Sequence, residues 1–265
     1  ATLTGHTDSV LGTVQLADGC ILSWAGNEYG VRKDTTLRLW EADGKAIATL
    51  TGHTDSVHSA MQLADERVLS WSYDNTLRLW DADGKAIATL TGHTDSVLGA
   101  VILSDGRILS WAGSEFGSTD NALRLWEADG KTIAALTGHT DGVRGAVILA
   151  DGRLLSWSND STLRLWDADG TPIATLTGHT KHVNGAVQLA DGRILSWSWD
   201  NTLRLWYPDG TLLATLTGHT NLAHGVVELG DGRIVSWSAD NTLRLWDADG
   251  TPIATLTRHT SNVTG

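Results

Sequence analysis

The fold is decided by the stretch between residues 92 and 137, which reads GHTDSVLGAVILSDGRILSWAGSEFGSTDNALRLWEADGKTIAALT. This stretch contains four short apolar segments, and none of them carries apolar residues at helical spacing over three turns. Asp-Gly pairs separate the first segment from the second and the third from the fourth, and such pairs are typical of tight hairpins. The pattern therefore predicts four antiparallel strands, over residues 99–103, 107–111, 123–126 and 132–136.

The same stretch recurs along the whole chain. A His-Thr pair, preceded by Gly in all copies but the last, places histidines at positions 6, 53, 93, 139, 179, 219 and 259. The steps between these histidines are 47, 40, 46, 40, 40 and 40 residues. The two long steps come from insertions of seven and six residues in one loop, around Tyr29 and Phe116. Four antiparallel strands in about 40 residues, repeated in tandem, are typical of a β-propeller blade.

The repeated unit has Gly-His, then Asp-Gly-Arg-Ile-Leu-Ser, then Asn-Thr-Leu-Arg-Leu-Trp-Asp, and it resembles the WD40-repeat family. The near-identity of the copies is similar to that of the highly repetitive bacterial propellers. The family's closing Trp-Asp pair becomes Trp-Glu in two copies and is lost at Trp206-Tyr207. The resemblance implies an all-β fold, a β-propeller of four-stranded antiparallel blades with six full repeats plus a partial seventh. It implies one domain over residues 1–265, with repeats near 6–51, 53–91, 93–137, 139–177, 179–217 and 219–257 and the partial repeat at 258–265.

Composition and charge exclude several classes of function. The 265 residues carry 19 Lys and Arg against 31 Asp and Glu, a net charge of −12, so we expect no nucleic-acid partner. No apolar run approaches the ~18 residues of a membrane span, so we expect no membrane partner. The single cysteine, Cys20, excludes an intrachain disulfide framework and a cysteine-built metal site. We expect a cytoplasmic protein with no metal and no cofactor.

Each repeat carries a His, a Ser, an Asp and a Trp at fixed offsets, and these four residues are called a tetrad below. Ser, His and Asp together invite a hydrolase interpretation, because they form a nucleophilic triad when the geometry allows it. A catalytic site, however, needs one special constellation, whereas the tetrad recurs in every repeat. The family resemblance implies a structural, hydrogen-bonded tetrad, so we predict no catalytic residues. Two of the tetrads are His53, Ser70, Asp74 and Trp80, and His139, Ser156, Asp160 and Trp166.

A second tryptophan follows the tetrad serine directly, at positions 24, 71, 111, 157, 197 and 237, where the family more often has Gly. Alternation along a strand points it to the face opposite the serine. We expect these indoles to fill the wedge between neighbouring blades, because every copy has one. An aromatic cage for a ligand is the alternative.

The copies differ mainly in two loops, the one entering the first strand and the one between the second and third strands. In a four-stranded blade both loops emerge at the same end, and in WD40-repeat relatives that end is the usual partner-binding face. Drift on exposed loops is the alternative interpretation. If the face binds a partner, the contacts are predicted at Tyr29, Tyr73, Phe116, Arg144, His182, Trp199, Leu222 and His224.

These observations favour a non-catalytic scaffold that binds a protein or peptide through the variable loops, as part of a larger bacterial signalling or defence protein. One alternative is a carbohydrate-binding, lectin-like propeller, in which exposed Trp and Tyr stack on sugar faces. Another is an engineered or amplified repeat scaffold with no natural partner. Fourth-strand sequence also occurs at Ala1–Thr4, and residues 258–265 begin a further first strand. These termini predict an incomplete seventh blade, or self-association with another copy through the unpaired edges.

Overall fold

The computed structural model describes residues 2–26, 34–114 and 117–257, and these residues form 24 strands and no helix. The strands make six four-stranded antiparallel sheets in chain order. The chain divides into two compact units, Ala1–Thr137 and Gly138–Gly265. The all-β fold predicted from the sequence is therefore confirmed.

The first unit contains sheets 1 to 3. Sheet 1 consists of β1 Val10–Gln15, β2 Ile21–Ala25, β3 Leu37–Trp40 and β4 Ala46–Leu50. Sheet 2 consists of β5 Val57–Gln62, β6 Val68–Ser72, β7 Leu77–Trp80 and β8 Ala86–Leu90. Sheet 3 consists of β9 Val97–Ile102, β10 Ile108–Ala112, β11 Leu123–Trp126 and β12 Thr132–Leu136.

The second unit contains sheets 4 to 6. Sheet 4 consists of β13 Val143–Ile148, β14 Leu154–Ser158, β15 Leu163–Trp166 and β16 Pro172–Leu176. Sheet 5 consists of β17 Val183–Gln188, β18 Ile194–Ser198, β19 Leu203–Trp206 and β20 Leu212–Leu216. Sheet 6 consists of β21 Ala223–Glu228, β22 Ile234–Ser238, β23 Leu243–Trp246 and β24 Pro252–Leu256.

Tight turns join the strands where the sequence predicts them. The Gly106 amide donates to the Leu103 carbonyl at 2.9 Å, and Gly106 has a φ of 87°. Glycine adopts that conformation without the steric penalty of a Cβ atom. Sheet 2 has Glu66 at the corresponding place, with a φ of 68°. The turn is therefore kept there against the conformational preference of the residue.

Apolar clusters fill the space between neighbouring sheets within each unit. Trp24 of sheet 1 packs in one cluster with Val57 and Trp80 of sheet 2. Trp71 lies in the same way against sheet 3, Trp157 against sheet 5 and Trp197 against sheet 6. The predicted wedge position of the second tryptophan series is confirmed at these four places, so these indoles belong to the core.

A glycine on the first strand makes room for this tryptophan. Gly145 pairs with Trp157 across the strands, and a Cβ atom added to Gly145 would lie 2.3 Å from the indole Cζ2. Gly12, Gly99, Gly185 and Gly225 have the same relation to their own tryptophans, whereas sheet 2 has Ser59 opposite Trp71. The indole therefore lies directly over the first strand of its own sheet.

Polar contacts between neighbouring sheets join a side chain to a backbone group. Gln188 Oε1 of sheet 5 accepts the amide of Ala150 at 2.8 Å. The Arg153 Nη1 of sheet 4 donates to the carbonyl of Pro208 at 2.8 Å. Gln62 makes the first kind of contact in the first unit, to the amide of Ala17 at 2.7 Å.

The outer face of each terminal sheet is uncovered. Leu256 of sheet 6 is 54 % exposed, whereas its counterpart Leu176 in sheet 4 is 1 % exposed. Val10 of sheet 1 is 53 % exposed, whereas Val57 in sheet 2 is fully buried. Residues 2–4 belong to no strand, and Ala1 and residues 258–265 lie outside the described residues, so the incomplete seventh blade stays a prediction. On both terminal faces, side chains are therefore exposed to water, whereas their counterparts in other sheets are buried.

Candidate functional site

The structure brings the four tetrad groups together in every sheet. In sheet 4, His139 Nδ1 lies 2.8 Å from Asp160 Oδ2, and His139 Nε2 lies 2.9 Å from Ser156 Oγ. Trp166 Nε1 donates to the same Ser156 Oγ at 2.9 Å. Sheet 2 repeats these contacts within 0.1 Å among His53, Ser70, Asp74 and Trp80.

The directions of these hydrogen bonds follow from the aspartate. The Asp160 carboxylate can only accept, so His139 Nδ1 carries a proton and donates it. In a neutral histidine Nε2 is then unprotonated, and Ser156 Oγ donates to it while accepting from the indole N–H of Trp166. The network is complete with a neutral histidine and an ionised aspartate.

The pKa values of the tetrads agree with these charge states. Burial raises the pKa of Asp34, but hydrogen bonds from Thr36, Thr7 and His6 outweigh it and lower the pKa to about 2. The same balance, with histidine and threonine as donors, holds the pKa of the other tetrad aspartates below the usual range. Burial lowers the pKa of three tetrad histidines, His93, His179 and His219.

The tetrads of sheets 2 and 4 are closed to solvent. Ser70 and Ser156 have no exposed surface, and the side chains of His53 and His139 have none either. The serine oxygen, which would have to act as the nucleophile, already accepts a hydrogen bond from the indole N–H. These two tetrads therefore offer a substrate no access to the serine, although the Ser-His-Asp connectivity is present.

Sequence reasoning missed the arginine that accompanies each tetrad. A Cβ atom added to Gly138, which precedes the tetrad histidine, would lie 2.3 Å from Arg164 Nη1. Gly138 also has a φ of 150°, which L side chains rarely adopt. Arg164 in turn lies with its Cζ 5.9 Å from the centre of the Trp166 ring. The glycine of the Gly-His pair therefore lies against the arginine of the Leu-Arg-Leu-Trp segment. Both motifs recur together in the sequence, and this joint repetition was the signal that could have revealed the contact.

The variable residues are positioned by a β-bulge in the first strand of every sheet. In sheet 4 the pairing shifts between Val143 and Gly145, so Arg144 has no partner on β14. A bulge turns such a side chain away from the regular pleat, and bulges often occur beside binding sites. The corresponding residues, which also differ between copies, are Leu11, His58, Leu98, Asn184 and His224.

A backbone hydrogen bond brings the second variable loop to the same end of each sheet. The amide of Trp199 donates to the carbonyl of His182 at 3.0 Å, and Ala239 donates to Leu222 at 2.9 Å. Sheets 2 and 4 have the same bond from Tyr73 and Asn159. In sheets 1 and 3 the donors are Gly26 and Gly113, although Lys33 and Thr119 hold the place directly before the tetrad aspartate that Trp199 holds in sheet 5.

The inserted loops, which begin directly after these glycines, account for that difference. Thr119 instead exchanges hydrogen bonds with Thr94 and Asp95 on the loop before the first strand. Tyr29, Phe116 and Lys33 lie outside the described residues.

In the first unit the two variable loops of sheet 2 meet in one aromatic pair. His58 Nδ1 and the hydroxyl of Tyr73 share a hydrogen bond of 3.1 Å. Their rings also lie edge to face, with centroids 5.3 Å apart. The bulge residue and the loop residue of one sheet therefore form a single feature of its variable end.

In the second unit three predicted residues form one cluster. Trp199 stacks on His182 with ring centroids 4.9 Å apart and 25° between the planes. Arg144 of the neighbouring sheet places its Cζ 4.9 Å from the Trp199 ring, and its Nε donates to Asn159 Oδ1 at 2.5 Å. The Trp199 residue is half-buried between these two sheets.

Leu222 and His224 occupy the equivalent loop and bulge positions of sheet 6, and both are half-buried. They share their sheet end with Ala239 rather than with a second aromatic ring. Sheet 6 therefore has the same gathered geometry as sheet 5, with smaller side chains.

Metal and membrane sites are not seen in the part of the chain that the structure describes. Within residues 2–26, 34–114 and 117–257, no group of three His, Cys, Asp or Glu side chains is placed to hold a metal ion. Over the same ranges no helix is long and apolar enough to cross a membrane.

Comparison with known proteins identifies the repeat. A family model described as "WD domain, G-beta repeat" matches residues 44–81, 84–127, 130–167, 170–207 and 210–247. The crystal structure of the WD40 β-propeller domain of Doa1 is similar to this chain, with a TM-score of 0.62 and 26 % identity over 97 % of this chain and 85 % of that one. No curated protein matches. The matched repeats span most of the sequence, and the chain therefore belongs to the WD40-repeat family of β-propellers.

Proposed function

We propose that this protein is a non-catalytic scaffold that binds a protein or peptide through the variable end of its blades. WD40 propellers are generally interaction scaffolds that bind proteins or peptides. The observation that carries the proposal is the bulge in each first strand together with the backbone bond between the two loops. The bulge and the backbone bond bring the residues that differ between copies to one end of each sheet, whereas the tetrads and the core are uniform among the copies.

The chemistry of the gathered residues also supports binding. Arg, Trp and Tyr dominate binding energies at protein interfaces, and these types stand at Arg144, Trp199 and Tyr73. The net charge of −12 argues against nucleic acid as the partner. A cytoplasmic position within a larger bacterial signalling or defence protein is the context we propose.

A carbohydrate-binding function receives less support. Stacking on sugars needs a free aromatic face in each blade, and sheets 4 and 6 have Asn159 and Ala239 at the loop position. The Trp199 ring is already in contact with His182 and Arg144. The alternative of an amplified scaffold with no partner is tested by the next experiment.

The test is a revertant built from the chain's own repeats. Replacing Arg144 by Leu, His182 by Ser, Trp199 by Ala and Leu222 by Ser uses only residues that other copies carry at those positions. The matched control replaces Tyr207-Pro208, in a turn at the opposite end of sheet 5, by the Asp-Ala of sheets 4 and 6.

With a partner identified by affinity capture, we expect the revertant to lose about 2 kcal/mol or more of binding free energy and the control to lose none. Both variants should keep the melting temperature of the parent. Undiminished binding by the revertant contradicts the proposal, and repeated failure to capture any partner favours a bare scaffold.

The uncovered terminal faces favour self-association as a second activity. Leu256 lies on the face of sheet 6 that corresponds to a covered face in sheets 4 and 5. Val10 lies on the exposed face of sheet 1. In the proposed association, that face of a second copy of the chain covers Leu256. We expect concentration-dependent association in sedimentation velocity that Leu256→Glu abolishes. A parent chain that stays monomeric at all concentrations contradicts this activity.

A further inference from the structure

We propose that Arg144, Trp199 and His182 form a subsite for a carboxylate group of an acidic peptide. The inference rests on the proposed function and assigns a chemistry to one part of the variable end. It concerns the second unit alone, where these three residues contact one another.

The guanidinium of Arg144 is held in place before any ligand arrives. Its Nε donates to Asn159 Oδ1, and Asn159 is itself 5 % exposed and fixed by a 3.0 Å bond from its amide to the Gly142 carbonyl. The Trp199 ring supports the guanidinium at 4.9 Å. An arginine stacked on an aromatic ring is oriented for planar, two-point recognition, and little side-chain entropy is lost on binding.

This guanidinium has more donors than the protein supplies with acceptors. Arg144 Nη2 is buried and has no hydrogen-bond partner. The same is true of Nδ1 of His182, the residue that stacks on Trp199. A buried N–H group without an acceptor is unfavourable. A carboxylate offers two oxygens to parallel N–H groups of an arginine, and such a pair is among the stronger hydrogen-bonded contacts in proteins.

Arg144 Nη2 is buried, so a carboxylate reaches it only when neighbouring side chains move. Trp199, which contacts Arg144, and His182, which stacks on Trp199, are half-buried and lie on loops rather than in strands. Changes of side-chain rotamer at interfaces are common when partners bind. The stacked pair can therefore shift to admit a carboxylate while the bulge keeps Arg144 in position.

Neighbouring charges favour an acidic ligand at this place. Two residues after the tetrad histidine, sheets 1 to 4 carry an aspartate, at Asp8, Asp55, Asp95 and Asp141. Sheet 5 has Lys181 there and sheet 6 has Asn221. The acidic series at this position thus ends with Asp141 in sheet 4, the sheet that carries Arg144, and the next sheet has the positive charge of Lys181 instead. That carboxylate accepts the Gly142 amide at 2.7 Å.

A carboxylate fits this subsite better than a phosphate ester. Sites for phosphorylated peptides use clusters of arginines to balance about two negative charges. Here the second unit offers one guanidinium in the cluster and one exposed lysine beside it. A carboxylate, with a single negative charge and two acceptor oxygens, matches this one guanidinium and one lysine.

The test uses short synthetic peptide pools with randomised flanks and a fixed central residue, either Glu, Gln, Lys or phosphoserine. Immobilised protein retains peptides from each pool, and mass spectrometry quantifies them. We expect about tenfold stronger retention of the Glu pool than of the Gln pool. Arg144→Leu, the residue of sheets 1 and 3, should remove this preference, whereas the control Lys131→Gln, which removes the same charge elsewhere, should keep it.

A second readout locates the binding. In the ¹⁵N-labelled protein, the Glu pool should shift the backbone amide signals of residues 182 and 199 in the parent but not in Arg144→Leu. Equal retention of the Glu and Gln pools with those shifts present overturns the carboxylate subsite and leaves the proposed function standing. Preference for the phosphoserine pool also overturns it. No retention of any pool contradicts both.

Discussion

Replacing Asp160 by alanine removes the acceptor for four hydrogen bonds. Asp160 Oδ2 accepts from His139 Nδ1 at 2.8 Å and from the amide of Thr140 at 2.9 Å. Its Oδ1 accepts from the amide of Thr162 at 2.9 Å and from the Thr162 hydroxyl at 2.7 Å. Water can replace the bond to Thr140, which is exposed, but the His139 side chain has no contact with solvent.

The magnitude follows from the donors that are left buried. A buried donor without a partner costs about 1–3 kcal/mol, and His139 is in that position, whereas Thr162 is half-buried and loses two hydrogen bonds that water replaces only in part. We therefore expect Asp160→Ala to lower the free energy of unfolding by about 3 kcal/mol. Asp160→Asn should be almost as harmful, because its NH₂ group must face N–H groups on one side or the other.

Urea unfolding followed by tryptophan fluorescence measures the change. The matched control is Asp151→Ala in the same sheet, where a half-exposed carboxylate pairs with Arg153 at 2.7 Å. Such a surface pair contributes about 0–1 kcal/mol. If Asp160→Ala is no more destabilising than Asp151→Ala, the tetrads do not stabilise the fold and the reasoning is refuted.

Three further predictions concern stability. Acidification should lower the free energy of unfolding below about pH 6.5, because the unfolded chain takes up protons there that His93, His179 and His219, whose pKa burial lowers, do not take up in the folded protein; equal stability at pH 7.5 and pH 5 would contradict this. Glu66→Gly should stabilise the protein by about 0.5–1 kcal/mol and Gly152→Ala should destabilise it similarly, since both turns have a positive φ; thermal melting would show any opposite sign. Leu176→Ala should cost about 2–5 kcal/mol and Leu256→Ala less than about 1 kcal/mol in dilute protein, and equal losses in urea unfolding would mean that the sheet 6 face is covered in solution.

Local patterns in the sequence were sufficient for the strands, the turns and the tetrads. Asp105-Gly106 indicates a hairpin because the turn needs a positive φ at Gly106, and glycine adopts a positive φ readily. The spacing of His139 and Ser156 repeats in every copy, as does that of Asp160 and Trp166, so the recurrence of the tetrad could be predicted without coordinates. These features depend on contacts within one sheet.

The pairing shift at the bulge and the contacts of the variable residues with a neighbouring sheet could not be predicted. The alternation of β13 does not show that Arg144 is the unpaired residue, because the shift depends on how β14 pairs with it. The contact of Arg144 with Trp199 joins two sheets, and no periodicity within a repeat encodes it.

The contacts between sheets also bear on how such a chain grows. Gln188 and Arg153 reach backbone groups of the adjacent sheet, and a backbone amide or carbonyl is present whatever residue stands there. The tetrads close within their own repeat. A DNA segment encoding one repeat can therefore be duplicated, deleted or exchanged without stranding a polar partner in the flanking copy. Each copy can then acquire its own residue at the bulge, as Arg144 and His224 have done, so the recognition surface changes one blade at a time.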